Sequence, residues 1–261
     1  MLKNNYMAFY ASACVFLLAG AAYSQTAEQG AYSQPPASYS PAPANYTQSS
    51  EVFAGYNGWT DYDYGYIGGV TALNHDMKSD GWLVRGNVGY GQYSYSSMAV
   101  SGTNTVDMTN GNMMMGYQKF LAGPNGGRIA VYLGVDYEDD SLSKVDSTNP
   151  VRGDEFGLIG RAELRLNLDG KTFLNEEASY SSAFDSYISS TRYGFNFGQF
   201  AVGPEVEFLG NQAFDSQHFG LFVGDIRLAD TLTASVSGGY EHSARQFSSG
   251  GYGNVSVGYG F

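Results

Sequence analysis

In the segment Arg128–Glu138, Ile129, Val131, Leu133, Val135 and Tyr137 fall on one parity, and Arg128, Asp136 and Glu138 fall on the other. A strand sends successive side chains to opposite faces, so this pattern separates an apolar face from a charged one. Three more segments behave the same way. Phe156, Leu158, Ala162, Leu164, Leu166 and Leu168 oppose Glu155, Arg161, Glu163 and Arg165. Trp82, Val84, Val88 and Tyr90 oppose Arg85 and Asn87, while Leu232, Ala234, Val236 and Tyr240 oppose Thr233, Ser235, Ser237 and Glu241. A Lys or Arg turned toward the middle of a bilayer costs about 2–4 kcal/mol, so strict parity is what a membrane-spanning strand requires.

A soluble sandwich would alternate too, with its polar face in water. Two features favour the membrane. The segments run to about ten to fifteen residues, longer than ordinary soluble strands. Their connections alternate between tight (Asp169-Gly170, Ala229-Asp230) and longer polar ones (Ser141–Asp154, Ser243–Gly250), as periplasmic turns and external loops do. No stretch after the N-terminus approaches the eighteen or so apolar residues of a membrane helix. The 35 glycines, 22 tyrosines and 16 phenylalanines suit strands whose faces alternate between lipid and lumen. The chain ends in NVSVGYGF, where Val255, Val257, Tyr259 and Phe261 form one apolar stripe closing on an aromatic. That ending resembles the signal by which outer-membrane barrels are handed to their assembly machinery.

The first fifty residues read differently. Lys3 followed by the apolar or small run Tyr6–Ala22 has the form of a secretory signal, with cleavage expected near Ala22 or Ser24. Cys14, the single cysteine, lies inside that run, so no disulfide is expected in the exported chain. Residues 25–50 are rich in Ser, Ala, Gln and Pro, lack Leu, Ile, Met and Trp, and carry one charge before the strand, Glu28. They are expected to form a disordered tether, in which Tyr32, Tyr39 and Tyr46 recur every seven residues.

The remainder, 51–261, is expected to be one all-β domain: a transmembrane antiparallel barrel of about 12 strands (10–14), an even number being usual. The expected spans are 51–58, 63–74, 81–96, 103–120, 128–140, 154–168, 171–184, 186–198, 200–209, 217–228, 231–242 and 250–261. The fourth is challenged by the turn-like Asn110-Gly111 pair and by Met113–Met115, which breaks the alternation. The ninth contains Pro204, for which a bulge is expected, because an interior strand does not readily lose a ladder donor.

Composition restricts function. The formal net charge is −12; losing Lys3 with the signal makes it −13. An acidic chain without a basic run argues against nucleic acid as a partner. His75, His218 and His242 are the only histidines, and none belongs to a metal-ligand pair. No GxSxG or phosphate-binding loop occurs. No cofactor, metal or catalytic residue is expected, although His218 or His242 could serve a Ser/His site on a barrel wall. Arg85, Arg161, Glu163, Arg165, Arg192, Glu205, Glu207, Asp225 and Arg227 form a charged set on the expected strands. Most have inward parity, but Asp225 and Arg227 share the parity of Phe219, Leu221 and Val223.

The segments AGYNGW (54–59), GYIGGVTALNHDMKSDGWLVRGNVGYGQYSY (65–95), GYQKF (116–120), NPVRGDEFG (149–157), VGPEVEFLGN (202–211) and VSGGYEHS (236–243) together resemble the cellulose biosynthesis protein BcsS family. The resemblance runs over nearly all of Val52–Phe261. It implies a small exported protein of bacterial cellulose synthesis, lodged in the outer membrane, with no established catalytic residue to carry over. Its partners would be membrane lipid, the barrel assembly machinery, and cellulose or the components that secrete it. The expected role is non-enzymatic, assisting secretion of the glucan or its retention at the surface. Tyr93, Tyr95 and Tyr132 have inward parity and are candidates to stack on sugar faces; Arg161, Glu163, Arg165, Glu205 and Glu207 are candidates for hydroxyl edges. Two alternatives stay open: a barrel enzyme acting on lipid or polysaccharide, and a passive anchor with a plugged lumen whose tether recruits a periplasmic partner.

Overall fold

A computed structural model describes residues 48–121, 126–244 and 249–261; the expected signal and most of the expected tether lie outside them. Twelve antiparallel strands follow the expected order: β1 (Ser50–Trp59), β2 (Tyr62–Ala72), β3 (Gly81–Ser96), β4 (Thr103–Leu121), β5 (Gly127–Leu142), β6 (Gly153–Asn167), β7 (Thr172–Ser181), β8 (Tyr187–Asn196), β9 (Ala201–Gly210), β10 (Asp215–Arg227), β11 (Leu232–Ala244) and β12 (Gly250–Gly260). Each pairs with its neighbours in sequence, and β12 pairs with β1, closing the sheet into a barrel. Closure satisfies the edge hydrogen bonds that hydrocarbon could not. Phe261 completes it: its carbonyl accepts from the Ser49 and Ser50 amides at 2.8 and 2.9 Å.

The outer face is the apolar parity. Leu133, Leu158, Phe156 and Leu221 are all more than 60% exposed, whereas Arg85, Asp136, Arg161 and Glu163 are buried inside. Aromatic side chains gather at two levels on this face. Trp82, Tyr117, Phe195 and Tyr259 lie near the end that holds the first and last strand residues, called here the terminal end. Tyr56, Tyr90, Phe156, Tyr180, Phe219 and Tyr240 lie toward the opposite end. Trp82 and Tyr90 are eight residues apart on β3, about 26 Å along the strand. Allowing for strand tilt, this matches the apolar band between the aromatic girdles of an outer-membrane barrel.

The fourth strand is continuous over 19 residues. Asn110 is no turn residue: its side chain lies inside and accepts from Tyr64 Oη at 2.6 Å. The methionines keep the alternation after all, because Met114 points in and is 2% exposed while Met113 and Met115 point out at 64% and 54%. The bulge expected at Pro204 is absent. Arg192 pairs with Glu205 and Phe195 with Val202, an unchanged register; the ladder merely lapses beside a residue with no N–H to give.

A bulge occurs instead in β10, where Val223 pairs with Val236 and Ile226 with Ala234. Three steps on one strand oppose two on the other, and Asp225 adopts a left-handed φ of 51°. The extra residue reverses parity. It explains how Asp225 follows the outward-facing Phe219 and Leu221 yet reaches Arg165 at 2.9 Å. Arg227, which shares the parity of Phe219, Leu221 and Val223 in the sequence, is exposed at the end of β10 beside the 228–231 turn.

Single cysteines placed at Leu133 and Leu164 should react with lipid-phase reagents in native membranes. Those at Asp136 and Glu163 should be protected by packing or react only with water-soluble ones. The opposite result would mean a one-residue register error. Deleting Phe261 should reduce the yield of heat-modifiable barrel in the outer-membrane fraction.

Candidate functional site

Among the described residues, large side chains pack the lumen at successive levels. Inward parity places Tyr62, Tyr64 and Tyr66 of β2 one above the next, and they join Trp59, Phe53, Tyr93, Tyr95 and Tyr252 in one buried cluster. Trp59 stacks on Tyr62 at 3.5 Å between centroids, and Tyr64 stacks on Tyr66 at 6.0 Å. The rings fit because glycines face them. A Cβ on Gly89 would lie 1.8 Å from Tyr64 Oη, and one on Gly116 would lie 2.3 Å from the Tyr132 ring. These contacts account for part of the glycine and tyrosine enrichment: a narrow barrel holds large rings where the facing strand has no side chain.

Beside the aromatic column lies a charge network centred on Glu163 of β6. Arg161 reaches it at 2.9 Å, Arg128 of β5 at 2.5 Å and Arg85 of β3 at 3.7 Å. Arg161 also meets Glu177 of β7 at 2.7 Å. Arg85 lies 4.6 Å over the Phe53 ring, which offers its π-face to the cation. Across the lumen Arg192 pairs with Glu205, which also accepts from Tyr252 Oη at 3.1 Å. His218 Nδ1 meets Glu207 at 3.0 Å. Arg165 pairs with Asp225 and stacks over Phe173 at 3.9 Å. Every candidate among Arg161, Glu163, Arg165, Glu205 and Glu207 therefore has an opposite charge or a histidine against it. Buried charges of this kind are tolerable only when so matched.

The three candidate tyrosines occupy different places. Tyr132 is 1% exposed and packs in the terminal-end cluster with Leu83, Met114 and Ile159. Tyr93 donates to Asp140 at 2.9 Å. Tyr95 donates to Asp146 at 3.2 Å and accepts from Asn104 and Asn149 at 3.1 and 3.0 Å. Asp146 and Asn149 belong to the 143–152 loop, which with the buried Val151 covers the far mouth. Phe184 and Phe214, from the neighbouring turns, are also buried. At the terminal end the 73–80 loop turns Met77 into the lumen, and Gln118 Nε2 donates to the carbonyls of Met77 and Ser79 at 3.0 and 2.8 Å. A cavity of about 30 Å³ beside Phe53, Phe173, Arg192 and Phe222 has room for about one water molecule.

The β2 tyrosines, Arg128, Glu177 and the β5 carboxylates Asp136, Glu138 and Asp140 belong to this interior and were not among the expected site residues. Their parity was readable, since Tyr62, Tyr64 and Tyr66 alternate with Asp63, Gly65 and Ile67. The two histidines considered for a Ser/His site lie apart in character. His218 is fully buried between Trp59 and Tyr252 with Glu207 as its hydrogen-bond partner. His242 is exposed and lies 3.4 Å from Ser249. Among the described residues, no group of three or more His, Cys, Asp or Glu side chains could hold a metal ion.

The fold and interior define a transmembrane β-barrel of the outer-membrane type with a side-chain-filled lumen. The model of the family described as "Cellulose biosynthesis protein BcsS" matches residues 52–261, and the chain belongs to that family. By that membership it is a protein of cellulose biosynthesis, built as a barrel of the outer-membrane type. Among solved structures, the COG4313 outer membrane channel from Pseudomonas putida F1 superposes with a TM-score of 0.54 at 12% identity, covering 84% of this chain and 99% of that one. The beta domain of the Bordetella autotransporter BrkA gives 0.47 at 16% identity, covering 82% and 99%. The KdgM porin gives 0.44 at 10% identity, covering 81% and 99%. At these identities the likeness concerns the fold alone. No curated protein matches the chain in sequence.

Glu163→Ala should leave three arginines without their shared counter-charge and destabilise the barrel by about 3–5 kcal/mol, read as a lower unfolding midpoint in detergent micelles. At the far mouth, hydrogen bonds from the Thr148 hydroxyl and amide hold the Asp146 carboxyl down to about 2, from an ordinary 3.8. A depressed carboxyl supports the folded loop above its unfolded value and loses that support as pH falls through the folded one. Protection factors of the 143–152 loop amides, corrected for intrinsic exchange, should therefore fall between about pH 4 and pH 2, and Asp146→Asn should remove that dependence.

Proposed function

We propose that this barrel assists cellulose secretion, or retention of the glucan at the cell surface, by acting at its ends rather than through its lumen. The observation that supports this reading is the packing of large side chains at successive levels of the described lumen, with the 143–152 loop at the far mouth and Met77 of the 73–80 loop turned into the other. The cavity beside Phe53 and Phe222, about 30 Å³, has room for about one water molecule and not for a sugar ring. For sugar to touch Tyr93, Tyr95 or Tyr132, or the charges at Arg161, Glu163, Arg165, Glu205 and Glu207, a network of matched buried ion pairs must first open. Opening would expose or unpair several charges at once, each at a cost of several kcal/mol.

Surface retention requires no such opening. The far rim offers polar loops to the exterior, and residues 25–47 precede β1 at the terminal end, where they can reach a periplasmic component of the cellulose machinery. In this arrangement the barrel is a rigid membrane fixture, and recognition is carried by the loops and the N-terminal segment.

Two variants separate this role from glucan conduction. Tyr93→Ala combined with Tyr132→Ala should leave extracellular cellulose unchanged when barrel abundance is unchanged, whereas deletion of residues 25–47 should lower it. The purified barrel should give no steady conductance in a planar bilayer. Conductance, with loss of cellulose in the double variant and none in the deletion, would replace the retention reading with a lumen rail.

A further inference from the structure

The outward face of β6–β8 carries a carboxyl group at a depth where no other outward charge is found. Odd-numbered Phe173, Glu177 and Ser181 of β7 are buried in the lumen, so Glu176 faces outward. Thr172 pairs with the girdle residue Phe195, and Tyr180, at the opposite girdle, pairs with Tyr187. Glu176 lies four residues from each, midway through the apolar band. The other outward charges of the described strands lie near or beyond a girdle. Asp107 is two residues past the partner of Tyr90, Asp139 is past Tyr137, Asp154 is past Phe156, and Lys119 is past Tyr117.

Glu176 has Leu164 of β6 against it on one side and a small, polar neighbourhood on the other. Thr191, its cross-strand partner, donates to Oε2 at 2.8 Å. One step along the strands, Ala162, Ala178 and Ser189 form a single lateral row across β6, β7 and β8. Val131 and Phe208 bound that row on the neighbouring strands. Beyond Leu164 the wall thus carries small side chains, the Glu176–Thr191 hydrogen bond and the Ser189 hydroxyl, on a face where lipid tails offer neither donor nor acceptor. In hydrocarbon, small residues allow close approach of two protein surfaces, and hydroxyl and carboxyl groups join them.

We propose that this wall is the contact surface for a second copy of the chain, packed about a two-fold axis along the membrane normal. Both copies must share one orientation in the bilayer, so that axis preserves depth. A residue can therefore meet only what lies at its own level in the partner. Glu176 and Thr191, a registered pair on adjacent strands, meet this condition to within about 3 Å once strand tilt is allowed for, which is inside side-chain reach. An axis between β7 and β8 sets Glu176 of each copy opposite Thr191 of the other, with Ala178 opposite Ser189. The patch is self-complementary, as a closed two-fold contact requires. A second copy covers each hydrogen-bonded Glu176–Thr191 pair and removes its polar atoms from the lipid.

The full-length protein in its native outer membrane provides the test. Ala178→Cys, treated with a short bis-maleimide, should give a homodimer identified by mass spectrometry. Its yield should be at least tenfold that of Ala54→Cys on β1, the opposite wall. Adding Glu176→Leu should lower that yield at least tenfold while the barrel remains heat-modifiable, whereas Glu176→Gln, which keeps an acceptor, should retain most of it. Should Glu176→Leu fail to assemble, Ala178→Phe in a Ser189→Cys background must produce the same loss. Equal cross-linking at both walls, a product containing a different protein, or a dimer indifferent to Glu176→Leu would overturn the proposal.

Discussion

Nine registered residue pairs between β1 and β12, from Glu51 with Gly260 to Trp59 with Tyr252, decide everything else in this molecule. A sheet in hydrocarbon has no water to satisfy its edges, and each unmet backbone group would cost several kcal/mol. Closure removes both edges at once. It also ends the freedom of every strand to slip, because a one-residue shift anywhere would turn arginines to lipid and leucines to the lumen. The terminal Phe261, bonded to Ser49 and Ser50, extends the same seam to the end of the chain.

Once closed, the barrel packs its polar interior with its own side chains. Aromatic rings from β1, β2, β3 and β12 fill one side, lying against glycines on facing strands. Arginines and carboxylates from β3, β5, β6, β7, β8 and β9 fill the rest, with Glu163 shared among three guanidinium groups. The same matching that makes these charges tolerable makes the interior costly to open. Activity at the rims follows more naturally from such a body than passage through it, because the loops over each mouth can change without disturbing the pairs beneath.

The apolar band is interrupted at one depth on one wall, by Glu176. Elsewhere the outward charges keep to the girdles, where headgroups and water can meet them. That carboxyl group lies between Leu164 and Thr191, one row from Ala162, Ala178 and Ser189, and takes its hydrogen bond from a neighbouring hydroxyl because lipid offers none.

Strand number, order and facing were legible in the sequence, because period-two alternation is a local property and each strand carries its own record of it. So was the closing aromatic stripe. Family membership was legible from motifs spread along 52–261. Pro204 and Met113–Met115 misled in opposite ways: the first suggested a bulge where only a ladder bond is missing, and the second hid an alternation behind three identical residues. Tertiary structure alone decided the rest. The β10 bulge depends on how two strands register, so nothing local shows that Asp225 turns inward to Arg165. The convergence of Arg85, Arg128 and Arg161 on Glu163 joins strands distant in sequence. The depth of Glu176 has meaning only against girdles drawn by all twelve strands, and the covered mouths depend on where loops fall when the barrel closes. Alternation is written residue by residue; depth, register and enclosure arise only when the sheet meets itself.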